Sequence, residues 1–138
     1  MEWGDVANAD VKVGHHVLLA GEPSAKFEGV KLSADRKSAV ASIVYSCSDP
    51  KGVDVGIILS QWVTEGEMTW PYEFRTVGGV KKLNCPAVEQ KSDVDLILFR
   101  GTVKSDKAAP QGGYALYFDL VINGQLVSQP RNLEKIPL

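Results

Sequence analysis

The sequence predicts an all-β protein: an antiparallel β-sandwich of about seven to nine strands with little helix, a small closed β-barrel being the alternative. Three observations carry this. Apolar residues alternate with polar ones at a period of two in several separate stretches. Gly, Pro, Asn and Ser-Asp clusters punctuate those stretches as turns do. No stretch keeps a 3.6-residue apolar period through three turns of helix.

Val11, Val13, His15, Val17 and Leu19 alternate until Gly21 and Pro23 break the pattern. Residues 39–46, AVASIVYS, form the next strand. Residues 53–63, VDVGIILSQWV, are β-branched and almost continuously apolar, the pattern of a strand buried on both faces. Strands over 67–77, 93–104 and 113–122 follow. Asn123-Gly124 tolerates the positive φ of a type I′ turn and joins 114–122 to 125–129 as a hairpin. Gly78-Gly79 suggests a second hairpin, and Pro86 opens a single helical turn over 86–92. The whole chain, 1–138, reads as one domain, with 1–10 and 130–138 as extended tails; Pro130 and Pro137 suit a tail better than a strand.

The formal charge is −2, from 15 Lys+Arg and 17 Asp+Glu, with the charges scattered. No cationic run is longer than two residues, as at Lys81-Lys82, too little to track phosphates, so nucleic acid is not an expected partner. No apolar run reaches the roughly 18 residues of a membrane span. The opening MEWGDVANAD has neither the basic nor the apolar region of a secretory signal.

Cys47 and Cys85 both follow strand-like segments, where strands of two facing sheets could bring them together. A disulfide there would contribute about 4 kcal/mol by chain entropy. Two buried thiols are the alternative. An even cysteine count in a strand-rich chain favours a secreted or periplasmic location over the cytoplasm. The order Cys47, Trp62, Cys85 resembles that of immunoglobulin domains. The interval from Trp62 to Cys85 is too short for the strands that topology needs, and Leu83 stands where the family has Tyr; the architecture is retained and the family is not.

Candidate chemistry is sparse. His15 and His16 are adjacent, so on a strand they point to opposite faces and do not chelate one metal. Glu65 and Glu67, and Asp93 and Asp95, are pairs at strand ends, where solvation keeps both members ionised. Ser46-Cys47-Ser48-Asp49 supplies nucleophile types without a neighbouring base. No phosphate loop, nucleophile elbow or calcium loop is present in the sequence. The expectation is no catalytic residue, no metal and no cofactor.

The most distinctive stretch is EMTWPYEF, residues 67–74. Met68, Trp70, Tyr72 and Phe74 share one face of a strand, and Pro71 confines that strand to a sheet edge or a bulge. An edge strand buries its inner face incompletely, and Trp and Tyr are favoured at interface hot spots. The expected function is therefore a non-enzymatic protein-binding module of inhibitor, immunity or adhesion type, with Trp70, Tyr72, Phe74 and Met68 as binding residues. The alternatives are a structural subunit of a capsid, tail or filament, docking through its terminal arms, and a carbohydrate-binding module that stacks a glycan on the aromatic row.

Overall fold

The computed structural model describes residues 10–12, 23–122, 124–128 and 131–138. They form eleven strands: β1 (Asp10–Lys12), β2 (Ser24–Leu32), β3 (Ser38–Cys47), β4 (Val53–Glu65), β5 (Met68–Thr76), β6 (Lys81–Leu83), β7 (Ala87–Arg100), β8 (Val103–Lys104), β9 (Gly113–Ile122), β10 (Gln125–Ser128) and β11 (Arg131–Pro137). Every pairing among them is antiparallel. The sheet runs β1-β2-β3-β7-β5-β4-β9-β10 and curls into a half-barrel. The count exceeds the expected range because β1, β6 and β8 are two- or three-residue strands.

Period-two alternation sets the interior. Ala39, Ala41, Ile43 and Tyr45 of β3, Val53, Val55, Ile57 and Leu59 of β4, Val94, Leu96 and Leu98 of β7, and Tyr114, Leu116, Phe118 and Leu120 of β9 are all buried. They line the concave side of the curl, where each fully buried large side chain contributes about 1.5–3 kcal/mol. The outer positions of β4 change character along its length. Gly56 and Ser60 are buried, whereas Trp62 and Thr64 are exposed, so burial on both faces holds only for the first half of that strand.

Three sequence expectations change. The segment 86–92 is strand, not a helical turn, and β7 begins at Ala87. Gly78-Gly79 does not make a hairpin. β5 and β6 lie on the same side of β4, pairing with its residues 58–65 and 53–55 respectively, so residues 77–80 are a bulge in one broken course. Thr76 bridges the break: its Oγ1 accepts the Ile57 N–H at 2.8 Å and donates to the Ile57 carbonyl at 3.1 Å, standing in for backbone rungs. Finally, residues 131–137 are strand β11 on the edge of β9 rather than a tail, with Ile136 fully buried.

The expected hairpin over 114–129 is present: Gln125 pairs with Ile122 and Leu126 with Val121, and Gly124 takes φ 76°. Cys47 and Cys85 form a disulfide with Cα atoms 5.6 Å apart. They do not join facing sheets. Cys47 is in register with Ala87, so the bridge ties the end of β3 to the entry of its own neighbour, β7. Nearby, Gly52 takes φ 85°, and a Cβ there would stand 2.7 Å from the Leu83 carbonyl oxygen. Only glycine allows the turn before β4 to lie so close to β6.

Candidate functional site

The site is built on the end of one long hairpin. β4 pairs with β9 only as far as Ser60, opposite Ala115, and β5 pairs with β7 only from Tyr72, opposite Arg100. Between those limits β4 and β5 pair with each other alone among the described strands, as a ribbon over residues 61–71 turning at Gly66, φ 63°. Alternation puts Val63, Glu65, Met68 and Trp70 on the inner side of the ribbon and Trp62, Thr64, Thr69 and Pro71 on the outer side. Trp62 is 68% exposed and Met68 57%.

The four residues expected to bind therefore divide. Phe74 is fully buried against Tyr114, with ring centroids 6.0 Å apart, and Tyr72 is 2% exposed. Both belong to the interior. Trp70 is half-buried and Met68 is exposed, so the row passes from core to surface as β5 leaves the sheet. The edge position inferred from Pro71 holds locally: β5 as a whole is central in the sheet, and Pro71 stands where its pairing with β7 ends.

A polar cluster sits beneath the ribbon. Glu65 Oε1 accepts from Arg100 Nε at 3.0 Å and from Nη2 at 2.7 Å. Its Oε2 accepts from the Tyr72 hydroxyl at 2.8 Å and faces Lys107 Nζ at 3.6 Å. One carboxylate thus draws together β4, β5, β7 and the loop after β8. The hydrogen bonds from Arg100 and then Tyr72 hold the Glu65 carboxyl below its ordinary range. Glu65 in turn raises the Arg100 guanidinium. Burial first, and then the bond to Glu65, raise the Tyr72 phenol.

The same guanidinium stacks on Trp70, its Cζ 4.1 Å from the ring centroid. Gly101, at φ 65°, lies beside the same ring. A Cβ there would lie 3.3 Å from Trp70 Cζ3, so glycine serves both the turn and the indole.

The remaining candidates do not assemble a reactive centre. Glu67 is exposed at the ribbon tip, separated in role from the bonded Glu65. Asp93 accepts from the Ser42 hydroxyl at 3.3 Å on the exposed side of β7, and Asp95 points the same way. Cys47 is consumed by the disulfide, which removes the thiol from the Ser46–Asp49 set. His15 and His16 lie outside the described residues. Among the described residues, no three His, Cys, Asp or Glu side chains converge as metal ligands. An open depression of about 100 Å³, bordered by Lys26, Tyr45 and Glu89, is well below the roughly 300 Å³ at which small-molecule sites begin.

Sequence reasoning missed three members of the site. Trp62 was legible: Val53, Val55, Ile57 and Leu59 face inward, so an even-numbered Trp must face outward. Arg100 shares the parity of Leu96 and Leu98 and must therefore point inward at the strand end. Lys107 belongs to an irregular loop and carries no such signal. No protein-family model, no characterised protein and no solved structure matches the chain.

Proposed function

We propose that the protein is a non-enzymatic binding module that recognises another protein through the β4–β5 ribbon. The observation that supports this is the exposure of large apolar side chains on both of its sides, Trp62 outside and Met68 inside. Isolated exposed apolar residues are ordinary, but a Trp and a Met on one two-stranded ribbon that runs past its pairing with β9 and β7 form a contact element. Trp is also among the residue types that dominate interface energetics. Relative to the sequence reading, the binding residues shift toward the tip: Trp62, Met68 and Trp70 meet the partner, while Tyr72 and Phe74 anchor the ribbon from within. We treat the curled sheet as a sandwich rather than a closed barrel, since among the described residues no bond joins β1 to β10.

The assembly-subunit alternative is weakened on one count, because residues 131–137 pair with β9 and so are not a projecting arm. A glycan would use the flat face of Trp62, the most exposed aromatic side chain described.

The test is affinity capture with wild type, Trp62→Ser and Met68→Ser as parallel baits, each shown to be folded by near-UV circular dichroism. The proposal expects one protein retained by wild type and lost by both variants. Retention by all three moves the interface off the ribbon. Retention of glycans alone, lost in Trp62→Ser, transfers the site to carbohydrate.

A further inference from the structure

We propose that Glu65 and Arg100 form a latch over Trp70, which keeps the inner aromatic face of the ribbon covered until the carboxylate–guanidinium pair parts. This rests on the reading of the ribbon as the binding element and assigns that element its control.

The arrangement has the parts a latch needs. The cover is the Arg100 guanidinium, 4.1 Å above the indole. Its catch is Glu65, which takes both Nε and Nη2 on a single oxygen. Glu65 sits at the last position of β4 before the ribbon turn, and Arg100 is the last residue of β7 before its own turn. Each end of the pair is therefore carried by a chain reversal rather than by the middle of the sheet, and local opening concentrates at such places. Tyr72 and Lys107 hold the second carboxylate oxygen, so the catch stays in place when one partner is lost. The Glu65 and Arg100 side chains are 29% and 24% exposed, accessible enough for an incoming group to compete for them.

Beneath the cover lies a surface suited to a partner. Trp70 and Met68 are on the same side of the ribbon, and the cover bears on Trp70. With Arg100 displaced, Met68 and Trp70 become one continuous apolar face. With Arg100 in place, Met68 stands exposed and the indole lies under the guanidinium, beside the Gly101 turn.

The experiment needs no partner. In a protein carrying Trp3→Phe and Trp62→Phe, Trp70 is the sole indole, and its accessibility is read as the acrylamide quenching constant. Glu65→Ala is expected to raise that constant about two- to five-fold, the change in population that one exposed cation–π contact can control. Arg100→Ala is expected to raise it as much, and the double substitution no further, because in the latch Glu65 reaches the indole only through Arg100. An unchanged constant in Glu65→Ala overturns the latch, as does a fully multiplicative double variant. If Glu65→Ala does not fold, Glu65→Gln is read by the same two criteria. Failure of the latch leaves the capture experiment with Trp62 and Met68 unaffected, and failure of that capture leaves the quenching result standing.

Discussion

The Gly101 N–H donates to the Pro71 carbonyl at 2.9 Å, and this bond is the last between β5 and β7. In an antiparallel pair a residue turns its N–H and C=O to the same neighbour. Proline returns no N–H, so the Gly101 carbonyl accepts from Arg75 Nη2 at 3.3 Å instead. The ladder stops there and the ribbon begins.

Pro71→Val is accordingly expected to be tolerated. It loses the restriction proline places on the unfolded chain, up to about 1 kcal/mol. It supplies an N–H facing the Gly101 carbonyl, a bond worth about 0.5–1.5 kcal/mol. Urea denaturation should find the two variants within about 1 kcal/mol of each other. A loss beyond about 2 kcal/mol would show that proline shapes the ribbon itself.

Phe74 and Met68 should differ sharply although both lie in one alternating row. Phe74→Ala empties a fully buried site and is expected to cost about 3–5 kcal/mol. Met68→Ser should stay within about 0.5 kcal/mol, as surface substitutions do. Equal losses in equilibrium denaturation would place the whole row in the core.

Replacing Cys47 and Cys85 together with Ser should lower stability by up to about 4 kcal/mol, the loop-closure entropy of a bridge of this span. The bridge secures the β3–β7 junction, and hydrogen exchange at Tyr45 and Ala87 should rise first. Exchange that rises uniformly over the sheet would show the bridge acting on the unfolded chain alone.

Acid should release the Glu65 pair late. A carboxyl whose folded pKa is lowered contributes stability that is fully present above its unfolded value, near 4.5, and is lost as pH falls through the lower folded value. The Trp70 fluorescence of the single-indole protein should therefore stay constant down to pH 4.5 and change only below it. The Glu65→Gln protein should show no such step. A midpoint above 4.5 would contradict the bonding described.

Asp119 carries the opposite sign. Its Oδ1 is buried with no hydrogen-bond partner among the described residues, and burial raises its carboxyl. A raised carboxyl costs stability once ionised, a penalty that grows as pH rises through the folded pKa and is absent below the unfolded one. Asp119→Asn should raise the urea midpoint at pH 7 and leave it unchanged at pH 3. A lower midpoint at pH 7 would mean that the charge is used.

The legible parts of the fold were those where alternation runs unbroken, as in β3, β4 and β9. β2 escaped because its register shifts between Phe27 and Gly29: Ala25 and Phe27 are buried at odd positions, then Val30 and Leu32 at even ones. A bulge of this kind erases the period. The Gly78-Gly79 turn was visible, but a turn does not reveal that both flanking segments pair with the same third strand. β11 was hidden by its flanking prolines, which edge strands accommodate. In the site, the inner and outer parities of Trp62 and Arg100 follow from neighbouring apolar residues. The meeting of Glu65 with Arg100 depends on strand order, which local pattern does not encode.

β4 runs without interruption from Val53 in the interior to Glu65 at the ribbon end. Its mechanical consequence is that the ribbon has no hinge. A pull on a bound tip, directed along the strand, loads the β4–β9 rungs in parallel, and they must shear together. The same pull applied across the ribbon parts β5 from β4 one pair at a time. Attachment through this element would thus hold firmly against tension in one direction and peel readily in the other.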